Sequence, residues 1–198
     1  SCEGNTLHVK DPVAFQSKDG NTELLYCNHP FSWSSSNTGL TSRKENDNTF
    51  KHRSDSILAR GNSWDVACSR ITERLQIPKI GSFSGIPNLS LYFYDGAECL
   101  RSLDQNPQAA KRPRGYSCEE LGGLAWGWDD DFPKIHPIST EFPLFISPHG
   151  TGCSRYVSSI FLQNDDLLAT WQQAQPDGSQ PLVANQLEKS EVHRILSN

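Results

Sequence analysis

The 198-residue chain has no methionine, no Cys-x-x-Cys pair and no apolar run near the roughly 20 residues that a membrane-spanning helix needs. The last absence argues against membrane insertion, and the second removes the usual zinc-ribbon and redox spacings. Positive charge is also scarce: 18 Lys and Arg face 23 Asp and Glu, a net charge of −5. A nucleic-acid module would show a basic excess or a concentrated basic face, so nucleic acid is not an expected partner. No Gly-x-Ser-x-Gly elbow frames a serine nucleophile, and the six histidines show no metalloprotease pair at helical spacing. Nor is there an N-terminal apolar segment flanked by positive charge; the chain starts at Ser1-Cys2, as a processed form with its signal peptide removed would.

Six cysteines are present, an even number at wide and irregular spacing: Cys2, Cys27, Cys68, Cys99, Cys118 and Cys153. That pattern predicts a structural disulfide framework, which persists only in oxidising compartments, so a secreted, extracellular protein is expected, with no thiol left as a nucleophile. The connectivity stays open. Residues 104–115 carry no apolar side chain larger than Ala and form the best linker, dividing the cysteines four and two. The expected division is a cysteine-rich lobe over 1–110 and a β-rich lobe over 111–198; pairing of Cys99 with Cys118 would instead make one domain.

Along the chain, polar residues 28–56 read as a long surface loop or as hairpins with a mobile connection. Asn62 or Ser63 can cap a helix whose buried stripe is Trp64, Ala67, Cys68, Ile71 and Leu75, with Pro78 ending it. Residues 89–94 alternate as an aromatic-rich strand closed by Asp95-Gly96. Residues 142–146 and 156–162 read as strands, and the turn Asn164-Asp165-Asp166 leads into a hairpin partner over 167–171. Ser179 and Pro181 can open a C-terminal helix carrying Val183, Leu187, Val192, Ile195 and Leu196. The expected fold class is α+β: a disulfide-rich N-terminal lobe with one clear helix, then a β-rich lobe built as a sandwich or curled antiparallel sheet.

The run Asp129-Asp130-Asp131 lacks the alternation and the glycine of a calcium loop and reads as a solvated acidic turn, so no metal or other cofactor is expected. Glu141-Phe142-Pro143-Leu144, a Gly-bearing loop and then Arg155 opening a strand resemble the core of fungal guanyl-specific ribonucleases. The resemblance implies Glu141 as general base and Arg155 as phosphate ligand. It breaks at the acid, because 169–174 hold no His; His149 is the nearby imidazole that could substitute. A fold kept without its acid is similar to the ribonuclease-like effectors of mildew fungi.

Leu91-Tyr92-Phe93-Tyr94-Asp95 with Cys99, then Tyr116-Ser117-Cys118-Glu119-Glu120-Leu121, is similar to the layout of small secreted fungal effectors and killer toxins. A cysteine-rich half followed by a β-rich half also resembles the dual-domain effectors that wilt fungi secrete into plant xylem. These resemblances imply a monomeric, non-catalytic virulence protein of a fungal plant pathogen that binds a host protein or receptor and is perceived as an avirulence factor. Trp33, Trp126 and Trp128 are its contact candidates. A ribonuclease-like fold with residual or lost activity, and a toxin or carbohydrate-binding module using the same aromatics, are the alternatives.

Overall fold

The computed structural model describes residues 8–29, 35–97, 101–102, 116–117 and 119–198. They are dominated by antiparallel sheets. The first has the order β1 (His8–Gln16), β2 (Thr22–His29), β3 (Asn37–Arg43), β4 (Lys51–Ser54). In the second, β5 (Cys68–Gln76) pairs with β6 (Leu89–Ala97), and β9 (Glu120–Trp128) joins β6 to β10 (His136–Pro137). Between β6 and β9 the chain makes a two-residue ladder of β7 (Arg101–Ser102) with β8 (Tyr116–Ser117). The third sheet is β11 (Ser154–Phe161), β12 (Leu167–Gln173), β13 (Leu182–Leu187), followed by the helix α1 (Lys189–Ser197). No helix among the described residues is long and apolar enough to cross a membrane.

Each sheet is a meander, its strands neighbours in chain order apart from the β7–β8 excursion. Each new sheet begins with a strand laid over the face of the one before: β5 contacts β1, β2 and β3, and β11 contacts β5, β6 and β9. Successive meanders stacked in this way are how β-propellers pack blade on blade. Leu25 and Leu40 of the first sheet meet Ile71, Tyr92, Tyr94 and Ala125 of the second, with Leu58 and Trp64 from the connection between them. The second face of β6, bearing Leu89, Leu91 and Phe93, is half-buried.

The expected α+β class is overturned. Residues 62–67, with Trp64 and Ala67, are turns, and the rest of the expected stripe, Cys68, Ile71 and Leu75, belongs to strand β5. The cause is a β-bulge between Ile71 and Glu73. One extra residue there puts Ile71 and Leu75, four apart, on opposite faces, where both are buried, and so imitates a helical period. The only α-helix among the described residues is C-terminal, and it starts later than expected because 182–187 extend the third sheet. The strand expected over 142–146 reduces to one bridge, Phe145 with Gly122. Of residues 28–56, much forms β3 and β4, the hairpin version of the reading.

The disulfide-rich lobe is corrected as well. No disulfide is found among the described residues: Cys27, Cys68 and Cys153 are buried and not bonded to one another. Burial pushes the Cys68 thiol well up and that of Cys153 to about 12. Cys2, Cys99 and Cys118 lie outside the described residues, as do the whole of the expected linker and the boundary at 110/111. The strands on either side of that boundary, β6 and β9, pair over nine positions from Leu89↔Trp128 to Ala97↔Glu120.

Candidate functional site

The opening segments of β1, β5 and β11, the first strands of the three sheets, converge on one cluster of charge. Arg70 of β5 is its centre, with a side chain 1% exposed. Its Nη2 lies 2.6 Å from Asp95 Oδ2 and 2.8 Å from Glu120 Oε1, and its Nη1 donates to Asp11 Oδ2 at 3.2 Å. Glu120 also accepts from Arg155 Nη1. Arg155 directs its remaining donors to Gln172 Oε1 (2.9 Å) and Gln180 Oε1 (3.2 Å). The Tyr156 backbone N–H donates to both Asp95 oxygens, at 3.0 and 3.2 Å. The Tyr156 ring is covered by two guanidinium groups, Arg70 at 4.3 Å and Arg155 at 5.1 Å.

Local backbone irregularity makes this convergence possible. Every first strand carries a bulge: between Lys10 and Val13, between Ile71 and Glu73, and between Arg155 and Ser158. At two of them a non-glycine residue sits in the left-handed region, Asp11 at φ 53° and Tyr156 at φ 54°. For a residue as bulky as Tyr this conformation is costly, and bulges of this kind re-aim a side chain. Here Asp11 meets Arg70 Nη1 and the Tyr156 ring lies against the Arg70 guanidinium.

Burial dominates the electrostatics. It drives the Asp95 carboxyl up to about 7, with Glu120 adding to the rise and Arg70 opposing it. For Arg70, burial alone would lower the guanidinium, but Glu120 and Asp95 more than offset that and hold it above the ordinary arginine value. Arg155 is raised in the same way, chiefly by Glu120 against burial. Removing one partner from such a network leaves an uncompensated buried charge, which typically costs about 3–5 kcal/mol. The openness of the carboxylates differs sharply: Asp11 is 30% exposed, Asp95 1% and Glu120 2%. Among the described residues no group of three or more His, Cys, Asp or Glu side chains is placed to hold a metal ion.

Of the residues singled out from the sequence, Arg155 belongs to this cluster. Glu141 and His149 are exposed, in the irregular segment before β11, and no hydrogen bond or ion pair joins either side chain to Arg155. Trp126 and Trp128 stack edge to face at 5.6 Å, with His136 against Trp126 at 5.1 Å, toward the opposite end of β9 from Glu120. Trp33 lies outside the described residues. The acidic run is paired, Asp129 with Arg74 at 2.9 Å and Asp130 with Lys18 at 2.8 Å. Sequence reasoning did not find Asp11, Arg70, Asp95, Glu120 and Tyr156. The available signal was a charge inside an otherwise buried strand, such as Arg70 between Cys68 and Ile71.

No family model matches the chain, and no curated protein matches it. Solved structures do resemble it. One is a protein of unknown function from Dyadobacter fermentans DSM 18053, with TM-score 0.61 and 14% identity over 92% of this chain and 51% of that one. A second is a glycoside hydrolase, with TM-score 0.58, 9% identity and coverage of 94% and 56%. A third, a BT0996 RGII complex, has TM-score 0.57 with the same identity and coverage. The chain spans about half the length of these structures, and at such identities the likeness is one of fold. Nothing in these comparisons bears on a fungal effector.

Proposed function

We propose that the chain binds carbohydrate where its first strands converge. The observation that carries this reading is the pair Asp11 and Tyr156, each held in a disfavoured backbone conformation and flanking Arg70. Strain of this kind persists where the surroundings enforce it, and it gathers at binding sites. The half-open Asp11 carboxylate, held in place by Arg70, offers acceptors for the hydroxyls of a sugar. The half-buried Tyr156 ring, held by the two guanidinium groups, adds the apolar surface that remains exposed beside them. That a structural neighbour is a glycoside hydrolase supports the ligand class, by analogy of fold alone. Binding is favoured over hydrolysis because glycosidases use two carboxyl groups flanking the bond, and only Asp11 of the three carboxylates bound to Arg70 is open.

The test is affinity electrophoresis through a panel of cell-wall polysaccharides. At least one should retard the wild-type chain, and Asp11→Ala should weaken that retention about tenfold or more, the scale of a lost hydrogen bond to a charged group. Trp126→Ala should leave it unchanged. Free migration through every polysaccharide, or retention indifferent to Asp11→Ala, overturns the reading.

A further inference from the structure

We propose that a second site lies between the second and third sheets: a cavity that binds a small, neutral molecule carrying one ring and one hydrogen-bonding oxygen. The cavity measures about 410 Å³ and is bounded by Phe93 of β6, by the segment around Phe145, and by β11 and β12. That volume falls within the range of small-molecule pockets. Three features of its wall define the occupant.

First, none of the side chains lining it carries a charge. An ion entering would lose its water without gaining a counter-charge, so the occupant is neutral. Second, the rings of Phe93, Phe145 and Trp171 line it together with Val157 and Leu167, an apolar surface suited to a ring. Its rim includes Leu144 and Ile146, both exposed, which makes an apolar entry. Third, Ser159 lines the cavity with a residue exposure of 8%, and its hydroxyl is buried without a hydrogen-bond partner. A buried hydroxyl in that state calls for a partner from the cavity. Two other polar groups of the lining are engaged: Ser147 Oγ donates to the Ala174 carbonyl at 2.7 Å, and Trp171 Nε1 donates to Gln173 Oε1 at 2.9 Å. Ser159, whose hydroxyl is both buried and without a partner, therefore supplies the hydrogen bond that selects among ring molecules. This site shares no residue with the cluster around Arg70, and its occupancy does not depend on the carbohydrate reading.

The probes are phenol, toluene and benzoate, titrated against the full chain by ligand-observed saturation-transfer NMR. Phenol and toluene should bind and benzoate should not. In Ser159→Ala the ratio of phenol to toluene affinity should fall about fivefold, the loss of one net hydrogen bond. Ala169→Phe, which fills the cavity, should abolish binding of both; if that variant fails to unfold cooperatively, Val157→Phe serves the same purpose. The proposal is overturned by absence of transfer to phenol and toluene, which would mean that water alone occupies the space. It is equally overturned by benzoate binding as well as phenol, by an unchanged affinity ratio in Ser159→Ala, or by binding that survives the filled cavity.

Discussion

Asp95 shows at the scale of one residue how burial and pairing compete. Its carboxyl is fully enclosed, accepts from Arg70 and from the Tyr156 backbone, and shares Arg70 with Glu120. Two carboxylates on one guanidinium cannot both ionise without cost, so burial and Glu120 together raise Asp95 to about 7. The folded chain then holds a proton that the unfolded chain has already released between the ordinary aspartate range and neutrality. Linkage fixes the sign: the contribution of this group to stability is complete below the ordinary aspartate value and is lost as pH rises toward about 7. Urea unfolding of the wild type and of Asp95→Asn, run side by side from acid to neutral pH, should show the difference drifting against the wild type as pH rises. A difference that stays flat or drifts the other way would mean that Asp95 remains ionised throughout. Little of this was legible in the sequence, where Asp95-Gly96 reads as the punctuation ending a strand. What enclosed the carboxylate was Arg70, distant in sequence, and Tyr156, more distant still.

For single elements, legibility depended on whether the local period survived tertiary pairing. The aromatic alternation of 89–94 survives, and β6 runs through it; the Asn164-Asp165-Asp166 turn likewise joins β11 to β12 in register. In β5 the bulge after Ile71 breaks the two-residue period and leaves buried side chains at helical intervals, so a pattern search finds a helix where pairing with β6 makes a strand. Trp64, taken for the first residue of the stripe, is instead a plug between turns. Its ring stacks against Tyr94 at 5.4 Å and lies over Gly96 and Gly123, two positions without side chains on neighbouring strands. A Cβ on Gly123 would come within 2.5 Å of Tyr94 Cζ and 2.6 Å of Trp64 Cη2. Both rings are buried, Trp64 at 5% and Tyr94 at 1% exposure. Gly123→Ala should therefore destabilise the chain by about 1–3 kcal/mol, the usual cost of overpacking a core. Gly85→Ala, whose new Cβ meets nothing within 4 Å, should be nearly neutral in the same denaturation assay. Equal effects at the two sites would remove Trp64 from its role as the plug.

On the scale of the whole molecule, the three sheets are unequal partners. The main hydrophobic cluster draws its described members from the first two sheets and the connections around them, and none from β11, β12 or β13. Every residue of β12 is half-buried, and β13 is mostly exposed. What ties the third sheet to the second is largely polar: Arg155 to Glu120, the Tyr156 backbone to Asp95, and Ser158 Oγ to Glu73 at 2.7 Å. The sequence suggested two lobes because composition changes near residue 110. Among the described residues the sheets are arranged by which strand contacts the meander before it. Regions with few buried apolar contacts open at lower free energy than the core. Native-state hydrogen exchange should accordingly find the amides of β12 and β13 exchanging through a sub-global opening, while those of β2, β5, β6 and β9 wait for global unfolding. Arg155→Ala removes the ion pair among these ties and should lower protection in β11 to β13 selectively. Glu120 keeps Arg70 in that variant, so the second sheet retains its internal pair. One uniform free energy across all three sheets, or a loss in Arg155→Ala spread evenly over them, would show that the third sheet folds as part of a single cooperative unit and that the polar tie is not its weak point.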